Sequence, residues 1–238
     1  MSARELSACD LAYERLGPGP WAAAISAYDT ERRLRVLVDD LLGPDRIRGR
    51  EVLDAGCGLG FFARRIWACG PARLVVVDIA PSMVAAVRQA LPEVEGYVAD
   101  VLELGAALGG RTFDVVVSSE VIEHTPDPLR AVAELCGRVR PGGWLALSCP
   151  NRRWRWALSL ARRAGLRRPY AGYENWVDPR ALRGAVATAG LEVVRAEGIH
   201  CLPWQVVPKR ALRWLDARLR PVSYGLFVNL ALLARRAA

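Results

Sequence analysis

The stretch Asp54-Ala55-Gly56-Cys57-Gly58-Leu59-Gly60 is the part of the sequence that most constrains the fold. It overlaps the end of a short apolar run, Glu51 to Asp54, and precedes a helical pattern from Phe61 to Ala68. Glycines between a strand and a helix allow a tight turn and let the backbone approach a ligand closely. Because a helix begins at this turn, its N-terminus favours a negatively charged group. The stretch therefore predicts a ligand-binding loop after a first strand.

Acidic residues end the next two predicted strands. Asp78 closes the apolar run that begins at Leu74, and Asp100 closes a third strand that begins at Gly96. In an open parallel sheet, the carboxyl ends of the strands lie at one edge, and a carboxylate after the second strand can accept hydrogen bonds from both hydroxyls of a ribose. The loop and the acids together favour a ribose-containing ligand over a plain glycine-rich turn, which is the alternative.

The remaining apolar runs alternate with helical patterns as far as Ser148 and resume near Leu191 and Phe227. Strands that are apolar throughout are typical of a parallel sheet with both faces covered by helices. We therefore expect an α/β fold, doubly wound, with a mostly parallel seven-stranded sheet. The expected divisions are an N-terminal helical cap (1–45), a cofactor-binding core (46–150), a basic lid insertion (151–176) and a C-terminal completion of the sheet and pocket (177–238).

The spacing of the glycines separates two classes of nucleotide cofactor. A dinucleotide-binding loop has the pattern G-x-G-x-x-G, whereas this loop is G-x-G-x-G and continues with Phe61. A nicotinamide-dependent oxidoreductase is therefore only a distant alternative. The loop, the strand-end acids and the order of elements resemble the class I S-adenosylmethionine-dependent methyltransferase family.

This resemblance implies S-adenosylmethionine as cofactor and S-adenosylhomocysteine as product. It implies that the glycines cradle the methionine part, that Asp78 holds the ribose, and that Asp100 lies near the adenine amino group between Ile79 and Val101. The residues expected to bind the cofactor are the following: Asp54, Gly56, Cys57, Gly58, Gly60, Asp78, Ile79, Met83, Asp100, Val101 and Ser119.

The segment Ser118-Ser119-Glu120-Val121-Ile122-Glu123-His124 follows the fourth predicted strand. It resembles the ubiquinone-biosynthesis O-methyltransferase branch of the family, as do Arg140-Pro141-Gly142-Gly143 and Ser148-Cys149-Pro150-Asn151. The resemblance covers about residues 50–200. The Asp/Asn-Pro-Pro-aromatic signature of enzymes that methylate amino groups of DNA and protein is absent from the segment, which counts against those substrates.

The two histidines of the chain, His124 and His200, both follow predicted strands. Imidazole suits proton transfer near neutral pH. We expect catalytic roles for His124, as the base that removes a hydroxyl proton, for Glu120 beside it, and for His200 as a second pocket residue. The alternatives are that His124 only orders its loop by a hydrogen bond and that His200 is an ordinary strand-end residue.

Glu120, Glu123 and His124 also form the pattern E-x-x-E-H, which places three metal-ligand types on one face of a helical turn. The pattern resembles the metal motif of small-RNA 3′-end methyltransferases. A divalent metal is therefore an alternative to a base acting alone. We favour the base alone, with Glu120 touching the cofactor and Glu123 solvated.

Charge is distributed unevenly along the chain. Residues 1–150 carry a net charge of −4 and residues 151–238 a net charge of +12. The stretch 152–168 contains seven arginines, and Trp154, Leu158 and Ala161 within it lie at helical spacing. A basic amphipathic helix with tryptophan is typical of a membrane surface. The favoured interpretation is a lid over the active site. Peripheral membrane contact through 152–168 and binding of RNA or another anionic macromolecule are the alternatives, and nucleic acid is disfavoured because arginine alone does not specify it.

The N-terminus shows no apolar signal-peptide core, and no apolar run reaches the roughly 18 residues that span a bilayer. Six cysteines without a C-x-x-C pair favour neither a zinc ribbon nor a thioredoxin motif. We therefore expect a cytoplasmic enzyme. The expected reaction is O-methylation of a hydroxyl on a small molecule, such as an aromatic or secondary metabolite, and methylation of RNA or another macromolecule is the alternative.

Overall fold

The computed structural model of the protein describes residues 19, 26–163, 165, 172–203 and 208–238. Much of the expected N-terminal helical cap, part of the expected basic lid insertion, positions 204–207 and Cys9 lie outside these residues. The described cysteines are all free thiols. No helix within the described ranges is both long enough and apolar enough to cross a membrane.

Seven strands form one sheet in the order β3-β2-β1-β4-β5-β7-β6, and β7 runs antiparallel to both of its neighbours. The predicted fold class is confirmed. The strands are β1 Glu51–Ala55, β2 Arg73–Asp78, β3 Glu95–Val98, β4 Phe113–Ser119, β5 Val139–Pro150, β6 Leu191–Ile199 and β7 Asn229–Arg236.

Helices cover both faces of this sheet. They are α1 Ala27–Leu34, α2 Pro44–Ile47, α3 Phe61–Trp67, α4 Pro81–Ala90, α5 Leu104–Ala107, α6 Pro128–Gly137, α7 Arg155–Arg163, α8 Pro179–Thr188 and α9 Lys209–Leu219. A π-helical segment, Arg35–Leu42, continues α1. Short 3₁₀ turns occupy Val101–Glu103, Ile122–His124, Arg152–Trp154 and Arg220–Val222.

The core has two layers because alternate residues of each strand face opposite sides. Leu53 and Val116 pack with α6 on one side, whereas Val52 and Val115 pack on the other with α3 and the π-helical segment. Burial on both faces explains why the central strands β1, β2 and β4 are largely apolar, whereas the edge strands β3 and β6 are partly exposed. The carboxyl ends of the parallel strands consequently meet at one edge.

Two strands are longer than their sequence patterns indicate. The apolar run Trp144 to Ser148 covers only part of β5, which begins at Val139, where it pairs with Phe113 of β4. A β-carbon at Gly143 would lie 2.8 Å from the backbone oxygen of Asp114, so a glycine is required for this close pairing. Strand β6 likewise continues to Ile199 because β7 pairs along its whole length, with a register shift between Val193 and Arg195.

Candidate functional site

The glycine loop joins β1 to α3, and its three glycines have different surroundings. A β-carbon on Gly56 would collide with Val121, and one on Gly60 would lie 2.7 Å from Val87 Cγ2. At Gly58, which also has a positive φ of 46°, a β-carbon would meet no described atom within 4 Å. Gly56 and Gly60 therefore allow close packing of the chain, whereas Gly58 borders open space that a ligand can occupy.

Asp78 organises the loop from the end of β2. Its Oδ2 accepts a hydrogen bond from the Gly58 N–H at 2.8 Å, and its Oδ1 accepts one from the Ala80 N–H at 3.0 Å. The N–H groups of Gly56 and Cys57 both donate to the Val77 carbonyl, at 2.7 and 2.9 Å. The predicted ribose-binding carboxylate is thus at the sheet edge, beside the open side of the loop.

Asp54 lies at the base of this loop and is only 2% exposed. Burial, and then the nearby Asp78 carboxylate, raise the pKa of Asp54 to about 7, partly offset by the backbone N–H of Ala63. Its Oδ2 has no hydrogen-bond partner among the described residues. A buried carboxylate with an unpartnered oxygen requires a donor, and the amino group of the cofactor's methionine part is a suitable one. The residues present therefore fit the expected cofactor.

The other predicted cofactor residues follow β2, β3 and β4. The Asp100 carboxylate accepts from the Leu102 N–H at 2.9 Å and begins the turn that contains Val101. Ile79 is half-buried beside Asp78, and Met83 is buried in the first turns of α4. These positions lie along one edge, as expected.

Two more predicted cofactor residues carry small polar side chains. The Ser119 hydroxyl bonds that of Ser148 at 2.9 Å. Burial, and then the charges of Asp78 and Asp54, raise the pKa of the Cys57 thiol well above its usual range, so this thiol stays neutral.

Glu120 follows β4 with a positive φ of 56°, which is unusual for a residue with a side chain. Its backbone N–H donates to the Ser148 carbonyl at 3.0 Å. Its Oε1 accepts from the Ser148 hydroxyl at 3.0 Å, and its Oε2 accepts from the Asn229 amide at 2.6 Å. These bonds hold the strained residue in place and aim its carboxyl group at the sheet edge. The sequence offered no signal for Asn229, which lies on β7.

Glu120 and Glu123 have strongly perturbed carboxyl groups. Burial, and then the neighbouring Glu123, raise the pKa of Glu120 to about 8. Burial also raises the pKa of Glu123 to about 8, partly offset by its own backbone N–H and by Arg33 of α1. The expectation that Glu123 is solvated is wrong, since it is only 2% exposed. Two carboxyls that hold their protons to neutral pH are typical of functional sites.

His124 ends the 3₁₀ turn after β4 and is half-buried. Its Nδ1 lies 3.0 Å from the Tyr173 carbonyl oxygen. Because a carbonyl oxygen only accepts, this contact places a proton on Nδ1, and the lone pair of the neutral ring then lies on Nε2. Nε2 lies 3.7 Å from Glu123 Oε1. The geometry therefore provides the basic nitrogen of the predicted base and also the loop contact of the alternative interpretation.

His200 follows β6, is fully buried and has a positive φ of 61°. Its Nε2 lies 2.9 Å from Asp29 Oδ1 on α1, and its Nδ1 lies 4.0 Å from Asp216 Oδ2 on α9. The structure thus places His200 under the N-terminal cap, between two helices. Its role as a catalytic residue stays a prediction.

The metal alternative has no preformed site in the described ranges. Within them, no group of three or more His, Cys, Asp or Glu side chains is arranged to hold a metal ion. Both carboxylate oxygens of Glu120 already accept hydrogen bonds from Ser148 and Asn229.

Comparisons with known proteins agree with this geometry. A family model described as a methyltransferase domain matches residues 26–196. The chain is 32% identical over 210 residues to a ubiquinone biosynthesis O-methyltransferase of Methylobacterium sp. (strain 4-46), covering 83% of each chain. It is 31% identical over 166 residues to the protein of the same name from Xanthomonas campestris pv. campestris (strain B100), covering 66% of this chain and 69% of the relative.

Solved structures share the fold at low sequence identity. Magnesium protoporphyrin IX methyltransferase from Synechocystis PCC 6803, solved with S-adenosylhomocysteine, has a TM-score of 0.62 at 17% identity and covers 87% of this chain and 84% of its own. The N-methyltransferase NodS from Bradyrhizobium japonicum WM9, also with S-adenosylhomocysteine, has a TM-score of 0.63 at 17% identity and covers 98% and 100%. The fold, the glycine loop, the strand-end acids and these matches lead to one conclusion: the chain belongs to the class I S-adenosylmethionine-dependent methyltransferases.

Proposed function

We propose that this enzyme methylates a hydroxyl group on a small molecule. The observation that carries the proposal is the His124 imidazole, whose Nδ1 is held by the Tyr173 carbonyl so that Nε2 carries the lone pair. Methylation of a hydroxyl oxygen requires removal of its proton, and a positioned imidazole performs that step. The likeness to O-methyltransferases of ubiquinone biosynthesis supports the same reaction type.

When bound, the cofactor supplies a methyl group on a positively charged sulfur. The chain's own residues bind and orient the two reactants. Asp78 and the loop at Gly58 hold the cofactor at the edge where β1 and β2 end, while Glu120 and His124 lie after β4. His124 Nε2 takes the proton of the acceptor hydroxyl as the oxygen bonds the methyl carbon. Most of the acceleration comes from holding the reactants in line.

The identity of the acceptor atom is tested directly by product analysis. We would incubate the enzyme with S-adenosylmethionine and a matched panel of phenols, catechols and anilines, and identify products by mass spectrometry. Ethers formed from the hydroxyl compounds are the expected products. Exclusive formation of N-methylated products from the anilines would contradict the proposal.

Helix α7 supports a finer proposal about what surrounds the site. Trp156 is 62% exposed and Leu160 is 59% exposed, although both are large apolar side chains. The Trp154 ring stacks on Trp156 at 5.8 Å between centroids, and its Nε1 donates to the Leu226 carbonyl at 2.8 Å. We propose that α7 is a lid whose exposed face also contacts an anionic membrane surface, as its arginines and exposed tryptophan favour.

A further inference from the structure

Arg33 of α1 lies over the sheet edge with one donor unused. Its Nη2 forms an ion pair with Asp29 Oδ2 at 2.7 Å, and only 14% of its side chain is exposed. Its Nε is buried and donates no hydrogen bond to any described residue. Arg33 is also close enough to Glu120 and Glu123 for its charge to counteract the effect of burial on their pKa values. Asp29, the partner of Arg33, in turn lies 2.9 Å from His200, which directly follows the pairing of Ile199 with Asn229, so the unused N–H of Arg33 is on the side of the site where β6 and β7 pair.

Two acceptor atoms in the same region are also unpartnered within the described ranges. They are Glu123 Oε2 and Asn229 Oδ1, on residues that are 2% and 5% exposed. The amide nitrogen of Asn229, Nδ2, donates a hydrogen bond to Glu120 Oε2 at 2.6 Å. One unused donor and two unused acceptors thus lie on three elements, α1, the turn after β4 and β7, which the Asp29–His200 and Glu120–Asn229 contacts bring together. We call Arg33, Glu123 and Asn229 the cap cluster.

The two acidic residues that contact the cap cluster, Asp29 and Glu120, are already engaged. Both Asp29 oxygens have partners, since Oδ2 pairs with Arg33 and Oδ1 lies 2.9 Å from His200 Nε2. Both Glu120 oxygens accept hydrogen bonds as well. Buried polar atoms without partners destabilise a protein and are rare in native structures. A cluster of three such atoms beside a catalytic edge is best explained by a bound molecule that satisfies them.

We propose that the cap cluster binds the polar end of the methyl acceptor and that Arg33 Nε donates a hydrogen bond to an acceptor oxygen. This inference rests on the proposed O-methylation. The group bound is an uncharged hydroxyl rather than a carboxylate, because the Arg33 guanidinium is already paired with the Asp29 carboxylate and the other two members of the cluster supply no second cation. During transfer the O–H proton moves to His124 Nε2, the C–O bond forms and the C–S bond breaks. The charge that develops on the oxygen then lies near the Arg33 guanidinium.

The first test compares Arg33→Met and Arg33→Lys with Arg35→Met, an exposed arginine in the same helical run. Catechol is the acceptor probe, and 3,4-dihydroxybenzoate carries the same hydroxyls with an added carboxylate. For Arg33→Met we expect kcat/KM for catechol to fall by about tenfold to a hundredfold, the loss typical of one charge-assisted hydrogen bond. The Arg33→Lys variant should have a kcat/KM for catechol nearly as low as that of Arg33→Met, since lysine lacks the Nε donor of the guanidinium.

Three measurements separate this proposal from a structural role for Arg33. The dissociation constant for S-adenosylhomocysteine should stay unchanged in all three variants, and Arg35→Met should behave as wild type. Wild type should prefer catechol to 3,4-dihydroxybenzoate. Unchanged kcat/KM in Arg33→Met, or a loss of affinity for S-adenosylhomocysteine equal to the loss of kcat/KM, would overturn the proposal. So would a preference for the carboxylate-bearing probe.

A second test needs no turnover and therefore stands if the proposed function fails. Glu123→Met replaces an unpartnered buried carboxyl with an apolar side chain of similar length. If the cluster is kept for a ligand, the ligand-free variant should melt at or above the wild-type temperature, as expected when function costs stability. A lower melting temperature would show that Glu123 is structural and would overturn the proposal. A wild type that binds S-adenosylhomocysteine but methylates no hydroxyl would count against the proposed function alone.

Discussion

Asp78 holds the glycine loop in its conformation through hydrogen bonds to the backbone. Its two oxygens accept the N–H groups of Gly58 and Ala80 and leave the carboxylate beside the open side of the loop. Each carboxylate oxygen accepts more than one hydrogen bond. Asp78 can therefore hold the loop and the ribose hydroxyls at the same time, so its loss affects both.

The first prediction concerns Asp78→Ala. Removing charge-assisted hydrogen bonds of about 1.5–3 kcal/mol should lower the affinity for S-adenosylhomocysteine by roughly tenfold to a hundredfold. Isothermal calorimetry measures this, with Glu93→Ala, an exposed acid on the loop before β3, as the control. If a folded Asp78→Ala variant bound S-adenosylhomocysteine with wild-type affinity, Asp78 would not be a cofactor-binding residue.

The second prediction separates the two interpretations of His124. His124→Ala should lower turnover by roughly 10²–10⁴ with little change in cofactor binding. His124→Asn keeps an N–H donor for the Tyr173 carbonyl but has no basic nitrogen, so it should be as slow as His124→Ala. Recovery of activity in His124→Asn would show that the histidine only orders its loop.

The metal alternative is decided in the same assay. A base acting alone predicts that a chelator leaves the activity of the wild type unchanged. Activity that is lost with chelator and restored by magnesium or manganese would instead establish a metal at Glu120, Glu123 and His124.

The third prediction follows from the buried carboxyls. Glu120 and Glu123 keep their protons in the folded protein up to about pH 8, whereas their ordinary pKa is 4.5. Between these values the folded state binds more protons than the unfolded state, so stability falls as pH rises. The ligand-free protein should therefore melt at a higher temperature near pH 6 than near pH 8. Glu123→Gln should flatten this dependence, and a flat wild-type profile would contradict the assignment.

At the scale of elements, α1 and α7 differ in how much of their polar and apolar surface is packed against the rest of the protein. Asp29 of α1 makes a buried contact with His200, the residue after β6, and Arg32 contacts Asp216 of α9 at 3.4 Å. Helix α7 presents Trp156 and Leu160 to solvent. The first helix is therefore held by buried polar contacts, whereas the second exposes two large apolar side chains.

The fourth prediction concerns that face of α7. The wild type should co-sediment with vesicles rich in phosphatidylserine at low salt. Each arginine near an anionic surface contributes about 1 kcal/mol to the free energy of membrane binding. Replacing Arg152, Arg153 and Arg155 with serine should release the protein, and Trp156→Ala should weaken binding further. Vesicles of neutral phosphatidylcholine are the control. An absence of sedimentation with anionic vesicles would leave α7 as a lid only.

At the scale of the whole molecule, the cofactor half was more predictable than the acceptor half. The glycine loop and its two acids lie within one continuous run of β–α units, where local patterns indicate strand ends. The acceptor half is assembled from distant residues: His200 meets Asp29 across 171 positions, and Glu120 meets Asn229 across 109. Local patterns carry no information on such contacts. Strands β5 and β6 extend beyond their apolar runs for the same reason, since pairing with neighbouring strands lengthens them.

The last prediction concerns the uneven charge of the whole chain. Residues 151–238, whose net charge is +12, should bind single-stranded RNA at low salt. Arginines that contact the phosphates displace counterions from the RNA, and the release of these counterions favours binding. Such binding weakens steeply as salt rises, whereas methylation of an uncharged small molecule depends little on ionic strength. Over the same salt series, the RNA affinity measured by filter binding should therefore fall while the rate of methyl transfer to the small molecule stays nearly constant. The RNA itself should not become methylated. Methylated RNA, or an activity that falls with salt in parallel with RNA binding, would identify a macromolecular acceptor and overturn the small-molecule assignment.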